Sequence, residues 1–439
     1  MSTPAPAPTP QDEHADPRAW FDLGRFGLFI HFGLYAIPAR HEWVMSREQR
    51  TPEEYERYAE LFDPDRFDAR AIARAARAAG MRYAVLTTKH HEGFCLWDSG
   101  LTDYTSVAAC GRDLVAEFVA ALREEGLKVG FYHSLIDWHH EDFTIDRVHP
   151  LREHPDRAAL DAGRDMARYR EYLHGQVREL LTGYGTVDYL FFDFTYPGED
   201  GKGPEDWDSE RLLALVRELQ PDIIVNDRLG LPGDLVTPEQ YQPVSPMVGP
   251  DGQEVRWESC QTTNGSWGYD RDNHDFKSAD LLLRMLVDSV GKNGSMLLNV
   301  GPDGRGGLRR EDLALLAEIG AWMDLHGDAV HGAGPARGIE APQGTILTRR
   351  GDRLYVHLTA WPMQNLHLTG LPGGVRAARL LHDGSEVAFR VTEQPEHSVH
   401  DNMAIDGLAP GTVTFTLPIR RPEVLLPVLE IRLEPETRS

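Results

Sequence analysis

The residues best equipped for chemistry in this chain fall in short runs. His31-Phe32-Gly33 is followed by Glu42-Trp43. Lys89-His90-His91-Glu92-Gly93-Phe94 leads into Trp97-Asp98, and Tyr132-His133-Ser134 into Asp137-Trp138. Asp193 stands after Leu190-Phe191-Phe192, and Asn226-Asp227-Arg228 comes next. Glu239, Trp257-Glu258 and Ser266-Trp267-Gly268-Tyr269 complete the set. Imidazole, carboxylate and guanidinium groups hydrogen-bond to hydroxyls, and Trp packs on the apolar face of a sugar ring. A pair of carboxyl groups, one ionised and one protonated, can cleave a glycosidic bond. Together these residue types point to carbohydrate chemistry.

Each also has a plainer reading. His31 alone would pass for a satisfied core histidine, Asp193 for a cap on the loop that follows, and the tryptophans for core. The adjacent His90 and His91 raise a metal site, since imidazole is the commonest metal ligand. Side chains of successive strand residues point to opposite faces, so both could reach one metal only past the end of a strand. What argues for function is that all these runs stand at the ends of successive predicted strands.

The elements that must position them alternate along the chain. Strands are predicted over 26–32 (FGLFIHF), 83–88 (YAVLTT), 127–133 (LKVGFYH), 187–192 (VDYLFF), 222–226 (DIIVN) and 295–300 (SMLLNV). Helical patterns fall over 69–78, 113–125, 166–181, 209–219, 279–290 and 313–326. Repeated strand–helix units imply a parallel sheet covered by helices. No Gly-rich dinucleotide fingerprint follows the first strand, which weakens an open doubly wound sheet. A (β/α)8-like barrel over 18–335 is expected, irregular between 229 and 259 where the helical signal is poor. In such a barrel the functional groups gather at the C-terminal ends of the strands. From about 336 to 439 the texture changes to short alternating runs separated by turn signals such as Asp383-Gly384, which predicts an all-β sandwich. Residues 1–17, rich in Pro and Ala, read as a disordered leader.

Composition bounds the partners. With 45 basic and 69 acidic residues the formal charge is −24, which disfavours binding to a phosphate backbone. No run of eighteen apolar residues is present to cross a membrane. Cys95, Cys110 and Cys260 include no CxxC pair, and an odd count argues against a disulfide scaffold. The N-terminus lacks the basic start and apolar core of a secretion signal, so a cytoplasmic location is expected. A homo-oligomer is compatible with all of this.

The same runs resemble the α-L-fucosidases of glycoside hydrolase family 29 over about 20–329. The resemblance rests on HFG with EW (Glu42-Trp43), LTTKHHEGFCLWDS (86–99), GLKVGFYHSLIDW (126–138), DYLFFDF (188–194), NDR (226–228), RWESC…SWGY (256–269) and SMLLNVGPDGRG (295–306). It implies a retaining exo-α-L-fucosidase acting on fucosylated glycans or glycosides, with a barrel followed by a sandwich and no metal or organic cofactor. Asp193 matches the nucleophile, although the usual W-x-D-G-like context is Phe192-Asp193-Phe194 here. His31, His90 and His91 match the histidines around fucose, Glu42-Trp43 the EW pair, Arg228 the substrate-contacting arginine and Trp267 the aromatic near the sugar methyl. His133 stands where a Tyr is usual, and Glu92 where an Asp is usual; His133 is taken as a substrate-binding residue. Glu239 is the position-matched acid/base, with Glu258 as its rival. Two other classes stay open: a metal-dependent hydrolase on the same barrel, with His31, His90, His91 and Asp193 as ligands, and a carbohydrate-binding homologue that has lost catalysis.

Overall fold

The computed structural model describes residues 16–393 and 408–434. The expected leader lies, up to residue 15, outside the described residues. Seven parallel strands form the frame: β1 (Phe26–Ile30), β2 (Tyr83–Lys89), β3 (Lys128–Ser134), β4 (Tyr189–Asp193), β5 (Ile224–Val225), β6 (Trp257–Thr262) and β7 (Gly294–Val300). They are hydrogen-bonded in the order β5-β4-β3-β2-β1-β7-β6. Apart from the half-buried Lys128, every residue in them is buried, as expected for strands covered on both faces. Helices such as Ala69–Ala78, Leu114–Glu124, Met166–Gly183 and Ala279–Gly291 return the chain between strands. Asp68, Asp113, Asp165 and Ser278 start these four, each accepting a hydrogen bond from a first-turn backbone N–H.

The eighth stave is the departure from a regular (β/α)8 barrel. Instead of a strand and helix, residues 234–240 run between the sheet edges β5 and β6. Isolated parallel bridges join Asn226 to Leu235, Val236 to Trp257 and Glu239 to Cys260. Asp234 N donates to Val225 O on one side, at 2.7 Å. On the other, Glu258 N donates to Val236 O (2.9 Å), Cys260 N to Pro238 O (3.1 Å) and Gln240 N to Cys260 O (2.9 Å). Pro238 has no N–H to give, which helps keep this stave out of a continuous ladder.

Among the described residues, the C-terminal part forms two antiparallel sheets. One runs β12-β15-β10-β9-β8 and the other β11-β14-β13, built from β8 (Gly334–Pro335), β9 (Thr345–Arg350), β10 (Arg353–Leu358), β11 (Asn365–Leu368), β12 (Val375–Leu380), β13 (Ala388–Val391), β14 (Val413–Thr416) and β15 (Val428–Leu433). Their facing residues, among them Leu354, Val356, Leu368, Phe415 and Ile431, form a separate core. The join to the barrel is apolar and hydrogen-bonded: Trp322 Nε1 donates to Leu426 O (3.0 Å) and Thr348 Oγ1 to Ala329 O (2.8 Å).

Candidate active site

Strand alternation decides which side chains enter the barrel. Its interior is filled by Phe29, Tyr83, Val85, Tyr132, Tyr189, Phe191, Ile224, Leu235, Cys260 and Leu297. Residues two further along, at the C-terminal strand ends, share that face. Thus His31 follows Phe29, and Asp193 follows Phe191. A cavity opens there. It is lined by His31, Glu42, Trp43, His90, His91, Asp193, Arg228, Glu239 and Trp267, together with Phe29, Tyr132, Phe191, Phe194 and Cys260. His90 and His91 both reach it because β2 ends at Lys89.

His133, expected at the sugar, is elsewhere. Tyr132 pairs with Phe191 and Ser134 with Asp193 in the sheet register, so the interior face of β3 carries Tyr132 and Ser134. His133 points outward, fully buried, with Nδ1 on Thr88 Oγ1 at 3.1 Å and its ring against Trp97. Tyr132 takes the place at the site: its hydroxyl donates to Asp193 Oδ2 at 2.8 Å. The period-two rule fixes only that 132 and 134 share a face; the pairing with β4 makes that face the interior one.

Glu258 also lies away from the cavity. It sits near the start of β6, at the opposite end of the barrel from Asp193. There it accepts hydrogen bonds from Tyr83 and from Tyr189 (2.9 Å), the first residues of β2 and β4. It is 0% exposed, and burial pushes its pKa up to about 7 against the pull of the two tyrosines.

Glu239 is at the cavity, carried in by the irregular stave. One nitrogen ties the two carboxylates together. Arg228 Nη1 donates to Asp193 Oδ1 at 2.9 Å and to Glu239 Oε2 at 2.8 Å. Those two oxygens can be no farther apart than the sum of the two bonds. Arg228 Nε and Nη2 are fixed on Thr237 Oγ1 (3.1 Å) and Thr237 O (3.2 Å). Burial opposes the guanidinium charge, but Asp193 and Glu239 outweigh it and hold its pKa above the ordinary value. Trp267 Nε1 donates to the other oxygen of Glu239 at 3.1 Å.

His31 and His91 are set as neutral acceptors. Asn299 donates through Nδ2 to Trp267 O (2.7 Å), so its Oδ1 accepts from His31 Nδ1 at 2.6 Å. Burial, then the neighbouring His90, drives the His31 pKa well below 6.5. Ser134 Oγ donates to Ile136 O and so accepts from His91 Nδ1 at 2.6 Å. Burial, then His90 and His31, lowers His91 likewise. That leaves His91 Nε2 buried, without a partner, 3.9 Å from Asp193 Oδ2. His90 Nδ1 is a second buried orphan, 3.6 Å from Glu92 Oε2. An unpaired buried polar atom costs about 1–3 kcal/mol, which a bound hydroxyl would relieve. Glu42 Oε2 accepts from Gly268 N at 2.8 Å, locking the Trp267 loop over the cavity. Among the described residues no three His, Cys, Asp or Glu side chains form a metal-binding group, and Nδ1 of both His31 and His91 is already committed.

Comparison with known proteins gives a consistent result. The family described as "Alpha-L-fucosidase" matches residues 4–328. The tissue α-L-fucosidase of Rattus norvegicus is 28% identical over 426 residues, covering 90% of this chain and 87% of its own. Among solved structures, α-L-fucosidase isoenzyme 1 from Paenibacillus thiaminolyticus superposes with a TM-score of 0.86 at 44% identity, covering 95% of this chain and 98% of its own. A GH29 α-L-fucosidase from Bacteroides thetaiotaomicron, trapped as a covalent intermediate with 2-fluoro-fucosyl fluoride in a Glu-to-Gln variant, gives 0.80 at 28% identity, covering 95% of this chain and 96% of its own. On this fold and this match, the chain belongs to the α-L-fucosidase family of glycoside hydrolases.

Proposed function

We propose that this chain is a retaining exo-α-L-fucosidase that releases terminal α-L-fucose from fucosylated glycans or glycosides. The carrying observation is the shared Arg228 Nη1. It holds an oxygen of Asp193 and one of Glu239 on a single nitrogen, which favours the about 5–5.5 Å carboxyl separation of retaining enzymes over the roughly 6.5–9.5 Å of inverting ones. Asp193 forms a bond to the anomeric carbon as the glycosidic C–O bond breaks. Glu239 gives its proton to the departing oxygen. A water then gives its proton to Glu239 and its oxygen to the anomeric carbon, and Asp193 leaves as carboxylate. His31 and His91 accept from sugar hydroxyls through Nε2. Tyr132 and Arg228 hold the two oxygens of Asp193 in place for attack. The covalent intermediate of the Bacteroides relative supports the same course.

A chromogenic α-L-fucoside assay tests the assignment. Asp193→Ala is expected to abolish turnover on every substrate. Glu239→Ala should slow poor leaving groups most, since good ones depart without a proton, and azide should restore its turnover. Glu258→Gln should stay within a few fold of the parent enzyme. Azide rescue of Glu258→Ala, with Glu239→Ala near the parent, would transfer the acid/base role and reject this reading.

A further inference from the structure

Phe194 directly follows the nucleophile in an unusual backbone state. Its φ is +82°, a left-handed conformation that glycine adopts freely and that is an outlier for a bulky residue. Such strain persists only where the surroundings over-determine it, and it gathers at functional sites. Here they do. The Phe194 ring packs against Trp43 (5.0 Å between centroids), His91 (5.2 Å) and Tyr196 (5.0 Å). The Tyr196 hydroxyl donates to Asp146, which also holds the buried Lys202 Nζ at 2.6 Å. Arg147 lies over the Tyr196 ring and donates to Tyr196 O.

The position of this ring matters. The cavity floor of Phe29, His31, His90, Tyr132 and Phe191 is buried, whereas Phe194 and Trp43 keep part of their surface exposed. A fucose ring on that floor would leave its aglycone at the mouth, where these two aromatics stand side by side. Given the proposed fucosidase reading, we infer that Phe194 is a specificity-determining residue. With Trp43 it forms an aromatic wall that packs against the apolar face of the first ring of the leaving group, a neighbouring pyranose or an aryl aglycone.

The test compares three substrates that share the fucosyl group: α-L-fucosyl fluoride, which has no second ring, an aryl α-L-fucoside and a fucosyl-galactose disaccharide. Phe194→Gly suits the observed φ, and Phe194→Tyr keeps the ring. In Phe194→Gly, kcat/KM for the two-ring substrates should fall roughly three- to tenfold relative to the fluoride, mainly through KM. Phe194→Tyr should restore the parent ratio. A fall on the disaccharide alone, or on the aryl fucoside alone, supports the wall and identifies which ring it takes. An equal fall on all three, or unchanged ratios, overturns it. Parent enzyme that turns over none of the three would instead defeat the fucosidase reading.

Discussion

Tyr132 and His133 are adjacent in sequence and opposite in consequence. Nearly all the residues expected at the cavity were legible as polar runs at strand ends, because a parallel barrel collects side chains there. Which of two neighbours enters depends on register, and register comes from pairing with β4, which no single strand reveals. The residue types gave no warning, since both Tyr and His bind hydroxyls. The two positions should therefore respond differently. Tyr132→Phe removes the donor to Asp193 Oδ2 and keeps the ring, so kcat/KM should fall about tenfold or more with little change in the melting temperature. His133→Ala empties a fully buried site beside Thr88 and Trp97. It should cost about 2 kcal/mol or more of stability while the kinetic constants stay near those of the parent. Steady-state kinetics and thermal unfolding of the pair check both; the reverse pattern would contradict the register.

At the scale of elements, the six predicted strands of the barrel have observed counterparts, as do the helices, because their apolar periodicity is strong and their caps are explicit. The seventh strand, β6, is absent from the predicted strands, although it overlaps the RWESC run. The stave at 234–240 was illegible for a physical reason: its bridges are isolated, it contains Pro238, and neighbours supply its order. Asp234 is chief among them. Its carboxylate accepts from Val225 N at 2.8 Å and pairs with Arg217 and Arg18. Asp234→Ala leaves a strand N–H without its acceptor, at about 1–3 kcal/mol. Because the stave also carries Glu239 and Thr237, the same variant should lower kcat although position 234 does not line the cavity. Unfolding and kinetics measured together decide it. A stability loss with unchanged kcat would mean that the stave does not place Glu239.

Across the whole molecule, the short alternating runs of the C-terminal sequence correspond to the antiparallel strands that follow the parallel ones. How the two parts join was not legible, since the join is built from residues that look ordinary in sequence. It holds a cluster of buried rings: Trp322 stacks on His326 at 4.8 Å and lies 6.3 Å from His357, which bonds Thr348 Oγ1 at 2.9 Å. Burial lowers the pKa of His326 to about 4 and of His357 to about 3. Burial also lowers His149 to about 2 and His331 to about 4, and drives His31, His91 and His133 well down. An unfolded histidine takes up a proton near pH 6.5, while these folded ones do not until far lower. Their contribution to stability is therefore complete above about pH 6.5 and declines as pH falls, at about 1.4 kcal/mol per pH unit for each histidine. Burial also raises Glu258 to about 7 and Asp312 to about 6, and raises Glu92. These act oppositely: their contribution is present below about pH 4 and is lost as pH rises through the folded values. Seven histidines outweigh three carboxyls, so between about pH 6.5 and 4.5 the net slope is a loss of stability on acidification. The melting temperature should fall steadily from pH 7 to pH 5. His357→Gln, which keeps a polar group toward Thr348 but cannot titrate, should flatten that fall by about one histidine's slope. A melting temperature that stays level or rises on acidification would show that these imidazoles are protonated in the fold.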